Sequence, residues 1–181
     1  MLALLFGPSC VGKSTVISVL RAGGGWRTVP TYTTRPLRKC EADKLSVSHG
    51  EFEYMELHGA FLGVNNFYGN RYGTPLAEIK HAVEATSEKW IMDYPYAKRE
   101  VFSELTHVGF ILMPANSEQL EEQIHASGRA DRLRLIVDEY DKLVIEQSSR
   151  GLDYPIIVNG PGEAVCAAAS IEEHVKSLWQ F

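Results

Sequence analysis

Gly7-Pro8-Ser9-Cys10-Val11-Gly12-Lys13-Ser14 matches G-x-x-x-x-G-K-[ST] in full, and that spacing does one kind of chemistry. Glycines let the backbone bend until successive N-H groups point inward, and a helix starting at the second glycine adds its positive end, so the segment becomes an anion nest. Lys13 then reaches the β- and γ-phosphates of a bound nucleotide, and the Ser14 hydroxyl holds Mg2+. ATP and Mg2+ are the expected ligands. The loop follows an apolar strand directly and precedes a helical pattern directly, which is the context the motif needs.

Other residues extend this chemistry. Asp93 ends the apolar run Trp90-Ile91-Met92, which places a carboxylate at the carboxyl edge of a strand, where open α/β sheets bind ligands. It stands where a carboxylate could join the Mg2+ shell beside Ser14, although an Asp at a strand end also suits a simple turn or helix cap. Thr33-Thr34-Arg35-Pro36-Leu37-Arg38 sets two guanidiniums three residues apart in a loop. Planar forks suit a phosphate better than an ammonium does, because each can donate two hydrogen bonds to it; a solvated basic loop is the plainer alternative. The six histidines, His49, His58, His81, His107, His125 and His174, have no H-x-x-H or H-E-x-x-H spacing, so a histidine metal site is not expected.

The elements that must position these groups follow from periodicity. Leu2 to Phe6, Trp26 to Thr31, Trp90 to Asp93, Val108 to Met113 and Pro155 to Val158 are short apolar runs of the kind buried parallel strands show. Between them, Ser14 to Arg21, Pro75 to Ala85, Ala97 to Leu105, Ser117 to His125, Arg134 to Ser148 and Glu163 to Trp179 carry apolar residues at helical spacing. The expected fold is an α/β three-layer sandwich with a parallel five-stranded sheet. From Arg35 to Thr74 the rhythm breaks, with a short helix expected over Glu51 to Leu57 and turn-rich pieces around Asn65, Asn66, Gly69, Asn70 and Gly73.

The 181 residues with 45% apolar side chains suffice for one domain with a core of its own. A net charge of -5 and a pI near 5.7 argue against a general nucleic-acid binder, which needs excess Lys and Arg. Cys10, Cys40 and Cys166 are too few and too scattered for a disulfide framework, which fits a reducing, cytoplasmic setting. The apolar opening Met1 to Phe6 is too short for a signal core or a membrane span, so no membrane association is expected.

Taken in order, the loop at 7–14, T-T-R-P-x-R at 33–38, Phe61-Leu62, Tyr72-Gly73-Thr74-Pro75, Asp93 after an apolar strand, an arginine-bearing segment at 129–134 and Val158-Asn159 resemble the guanylate kinase family. The resemblance spans nearly the whole chain. It implies a single P-loop kinase domain over 1–181, with an inserted acceptor-binding lobe at 34–74 and a short lid at 126–134. By that resemblance Gly7, Ser9, Gly12, Lys13, Ser14 and Thr15 bind ATP, and Asn159 contacts its adenine. Thr34, Arg35, Arg38, Tyr72, Thr74 and Asp93 bind the acceptor, while Arg129, Arg132 and Arg134 join Lys13 in stabilising the transferring phosphoryl.

Three family contacts are missing. The phosphate-binding Tyr falls on or near Val47, the guanine-binding Glu is Gly63, and a second guanine-binding Asp is Pro95. Asn65, Asn66, Glu56 and Glu53 are the nearby groups that could replace those carboxylates. The expected reaction is therefore phosphoryl transfer from Mg-ATP to a phosphorylated small acceptor, GMP or dGMP first, by a monomer or homodimer. Two alternatives stay open: the same chemistry on a modified or pyrimidine nucleoside monophosphate or on ribose 1,5-bisphosphate, and a non-catalytic interaction module, against which the intact Lys13 and Ser14 count.

Overall fold

In the computed structural model, described for all residues except 39, 40, 42 and 179–181, five strands hydrogen-bond in parallel. They are β1 (Leu2–Phe6), β2 (Trp26–Thr28), β7 (Lys89–Asp93), β8 (His107–Met113) and β9 (Ile156–Val158), in the order β2-β7-β1-β8-β9. Every residue of β1 is 0% exposed, as a central strand covered on both faces must be. Burying each of its large side chains stabilises the fold by about 1.5 to 3 kcal/mol, so the segment leaving β1 starts from a rigid base. Cys40 and Trp179 lie outside the described residues.

The chain divides into two compact units. One comprises Met1–Ala3, Gly25–Met92 and Arg99–His107. It holds a second sheet, in which β3 (Thr31–Thr33), β4 (Lys44–Ser46), β5 (Phe61–Phe67) and β6 (Asn70–Pro75) run in the order β4-β3-β6-β5. Helix α2 (His49–Leu57) starts at Ser48, whose hydroxyl accepts from the Glu51 N-H while the Glu51 carboxylate accepts from the Ser48 N-H, a reciprocal cap. Helix α3 (Leu76–Glu84) packs on β5 and β6.

The other unit comprises Leu4–Gly24, Asp93–Lys98 and Val108–Phe181. Its helices are α1 (Lys13–Ala22), α4 (Ser117–Ala126), α5 (Leu133–Arg150) and α6 (Ala164–Leu178), with α6 packed along α1 and α4 against α5. Among the described residues no helix is long and apolar enough to cross a membrane.

Three expectations are corrected. The run Trp26 to Thr31 is not one strand: it breaks at Val29 and Pro30, where the proline has no N-H for a ladder, and β2 and β3 belong to different sheets. Ala97 to Leu105 is not an α-helix but a 3-10 segment, Tyr96–Phe102. Its bonds span three residues, as from the Lys98 N-H to the Pro95 carbonyl at 3.0 Å. Tyr96 holds its start by packing edge-on against Phe6 and hydrogen-bonding Glu146 and Asp153. Finally, Asn65, Asn66, Asn70 and Gly73 are strand residues, and only Tyr68 and Gly69, both at positive φ, make the reversal between β5 and β6. That two-residue geometry matches the strands' twist.

Candidate active site

The loop between β1 and α1 has the conformation an anion nest requires. Gly7 and Gly12 have φ of 133° and 96°, values that a side chain disfavours. A Cβ on Gly7 would collide with the Leu112 carbonyl oxygen, and one on Gly12 would lie 2.5 Å from the Asn159 Nδ2. Helix α1 has Gly12 as its N-cap residue, with no side-chain cap and no acidic residue in its first turn. Its leading N-H groups are therefore not taken by a carboxylate or hydroxyl of the cap, and the end keeps its positive character.

The Lys13 ammonium donates to the carbonyls of Gly7 and Pro8 at 2.9 and 2.8 Å, so it lies across the loop it belongs to. Ser14 and Thr15 are exposed in the first turn of α1. Asp93 closes β7, and the next residue's N-H bonds to the Leu5 carbonyl of β1 at 3.1 Å. Asp93 and the phosphate loop thus leave the same ends of neighbouring parallel strands. Ser14 and Asp93 are the hard oxygen donors suited to a Mg2+ that also binds phosphate oxygens. Among the described residues no cluster of three His, Cys, Asp or Glu side chains forms a separate metal site.

Asn159 is 4% exposed. Its Nδ2 donates to the Val11 carbonyl at 2.8 Å, and its backbone carbonyl accepts from Gln119 Nε2 at 2.8 Å. Its Oδ1 is buried with no hydrogen-bond partner among the described residues. The resemblance assigns this residue to the adenine; the observed contacts brace the phosphate loop. Ser9 is held too, since its N-H donates to the Glu139 carboxylate of α5 at 2.9 Å.

The arginines of the segment between α4 and α5 differ. Arg129 Nη1 donates to the Cys10 sulfur at 3.2 Å, which brings it onto the loop. Arg132 pairs with Asp131 at 3.5 Å, and Arg134 is exposed in the first turn of α5. Cys10 packs on the apolar cluster of Leu120, Ile124 and Ile136, so the same helix pair positions both the loop and Arg129.

In the four-stranded unit, Arg35 is 9% exposed and engaged on three sides. Its Nε donates to the Tyr72 hydroxyl at 3.1 Å, its Nη1 to the Pro36 carbonyl at 2.9 Å, and Nη1 and Nη2 to the two oxygens of Glu41 at 2.7 and 2.6 Å. The Arg38 N-H also donates to Glu41 at 2.8 Å, while its side chain is 42% exposed and lies 3.7 Å from the same carboxylate. Burial pulls the Glu41 pKa up, but hydrogen bonds from Arg35 and the Arg38 N-H outweigh it and hold the carboxyl below its ordinary value. A bidentate fork with a second arginine beside it is the geometry that also grips a phosphate.

Thr34 exchanges hydrogen bonds with the Arg71 backbone, accepting at its Oγ1 at 3.0 Å, so it extends the β3 to β6 pairing. Thr74 is 2% exposed. Sequence reasoning did not single out Glu41, Glu139, Gln119 or Cys10. Glu41 stands three residues from Arg38, a pairing signal; Glu139 and Gln119 have no local signal, because only the fold carries Glu139 to the loop and Gln119 to the backbone of Asn159, the residue that braces it.

A comparison with known protein families matches residues 2–172 to the guanylate kinase model. A guanylate kinase of Symbiobacterium thermophilum is 35% identical over 136 residues, which is 71% of this chain and 63% of that protein; the chain thus spans just under two thirds of it. A guanylate kinase of Prochlorococcus marinus subsp. pastoris is 29% identical over 185 residues, with 98% of this chain and 94% of that protein covered. Among solved structures, a guanylate kinase from Anaplasma phagocytophilum superposes with a TM-score of 0.75 at 20% identity, covering 100% of this chain and 87% of that one.

Proposed function

Because the chain belongs to the guanylate kinase family, we propose that it transfers the γ-phosphoryl of ATP to the phosphate of a nucleoside monophosphate, GMP or dGMP first. The observation that carries this reading is the phosphate loop: two glycines at positive φ, an uncapped helix start and Lys13 within the nest. A scaffold that bound only peptides would have no need of that geometry.

In this reading Lys13 moves from the carbonyls of Gly7 and Pro8 onto the β- and γ-phosphates, and the N-H groups of the loop orient the donor. Ser14 and Asp93 would hold Mg2+, which neutralises phosphate charge and polarises the transferring group. Arg129, already on the loop, supplies positive charge to the equatorial oxygens as it develops. Arg132 and Arg134 assist from the neighbouring turn. An acceptor phosphate is a competent nucleophile without a strong base, so positioning and charge carry the catalysis. Arg38 and Arg35 bind the acceptor phosphate, while Glu41 and the Tyr72 hydroxyl hold the Arg35 guanidinium in place.

A second reading is favoured by Gly63 and Pro95, which lack the carboxylates expected to read guanine: the acceptor is then another monophosphate or ribose 1,5-bisphosphate. ADP release from Mg-ATP with each acceptor in turn separates the two. Turnover with GMP supports the first; turnover with the sugar bisphosphate alone supports the second.

A further inference from the structure

Resting on the nucleoside monophosphate kinase reading, we propose that the side-chain amide of Asn65 reads the base of the acceptor in place of a carboxylate, which makes this chain a 6-oxopurine monophosphate kinase that discriminates weakly on the 2-amino group. The β5 to β6 register pairs Asn65 with Tyr72 and Gly63 with Thr74, while β3 pairs Thr33 with Tyr72. Residues directly opposite in a ladder share a face. Asn65, Gly63, Thr74, Tyr72 and Thr33 therefore line one face of the four-stranded sheet, and it is the face on which Tyr72 holds Arg35.

This face is polar yet withdrawn from solvent: Thr33, Thr74 and Asn65 are 0%, 2% and 7% exposed. The other candidates stand elsewhere. Asn66 pairs with Arg71 on the opposite face, Glu56 is bound in an ion pair to Arg71, and the Arg71 guanidinium lies 4.8 Å over the Phe52 ring of α2. Glu53 is exposed on the same helix. Of the four groups near enough in sequence to replace the missing acceptor at Gly63, only Asn65 shares its face.

The chemistry of the substitution sets the specificity. A carboxylate can only accept, and pairs with the N1-H and 2-amino donors of guanine together. An amide offers one donor and one acceptor side by side, which match O6 and N1-H, and these are common to guanine and hypoxanthine. Expected, then, are comparable kcat/KM values for GMP and IMP, within about tenfold of each other, since the 2-amino group would gain at most one hydrogen bond.

The test is steady-state kinetics of wild type, Asn65→Ala and Asn65→Asp with GMP, IMP and ribose 1,5-bisphosphate, with the KM for ATP as the check on folding. Asn65→Ala should raise the KM for GMP and IMP alike by 10-fold or more, with the KM for ATP unchanged. Asn65→Asp, which keeps the size and supplies the carboxylate, should raise the GMP to IMP ratio by 10-fold or more. An unchanged ratio in Asn65→Asp, or equal losses on purine and sugar acceptors in Asn65→Ala, overturns base reading by Asn65 and leaves the kinase reading standing. Absence of turnover with every nucleoside monophosphate in the wild type overturns both.

Discussion

Both oxygens of the Glu41 carboxylate lie on the Arg35 guanidinium, 2.7 and 2.6 Å from Nη1 and Nη2. The same carboxylate accepts the Arg38 N-H, so one anion organises both arginines expected at the acceptor phosphate. Glu41→Gln replaces one accepting oxygen by a donor and leaves an Arg35 N-H facing it. Loss of a charged, mostly buried hydrogen bond costs about 1 to 3 kcal/mol. Chemical denaturation should show that loss, and the KM for the acceptor should rise several-fold with the KM for ATP constant.

The pH dependence of that pair has a definite sign. Glu41 titrates below its ordinary value in the folded protein, so its ion pair contributes stability in full above about pH 4.3, the usual carboxylate value, and loses it as pH falls through the lower folded pKa. The stability difference between wild type and Glu41→Gln should therefore shrink in acid. A difference that stays constant from pH 7 to pH 3 would show that the Glu41 charge does not hold the loop.

Asn159 braces the phosphate loop from beneath, with its amide on the Val11 carbonyl and against Gly12. Asn159→Ala removes the only donor shown for that carbonyl among the described residues and should destabilise the fold by about 1 to 3 kcal/mol. Gly12→Ala forces a Cβ into the amide at a positive φ, and backbone strain of this kind costs about 1 to 3 kcal/mol. Both variants should weaken ATP, read by its KM or by ATP-dependent thermal stabilisation, and leave acceptor binding unchanged. Weakened acceptor binding with ATP unaffected would contradict the bracing role.

In the proposed mechanism Lys13 contributes charge where the phosphoryl transfers. Its removal should lower kcat by about 100-fold or more, the scale for losing one preorganised charge-stabilising donor. Circular dichroism and thermal melting should stay close to those of wild type, because the ammonium bonds only partly buried carbonyls of its own loop, those of Gly7 and Pro8.

Much of this was legible in the chain itself. The phosphate loop announces itself because its backbone needs glycine at fixed positions, and β1, β7, β8 and β9 because buried parallel strands are continuously apolar. The second sheet was hidden. Its strands carry Asn65, Asn66, Asn70 and Gly73, residues that locally favour turns, and they form a sheet because α2 and α3 cover part of it while polar side chains line the remaining face. The role of Glu41 was half visible in its spacing from Arg38. Glu139 and Gln119 were not, since Glu139 meets the Ser9 N-H of the phosphate loop and Gln119 meets the backbone of Asn159 only after α4 and α5 have folded.

The most direct measurement is ADP release from Mg-ATP by the purified protein with GMP, dGMP, IMP, the other nucleoside monophosphates and ribose 1,5-bisphosphate, each against the rate without acceptor, for wild type and Lys13→Ala. Acceptor-dependent release with GMP or dGMP that Lys13→Ala abolishes is the expected result. Release that no nucleoside monophosphate stimulates would contradict it.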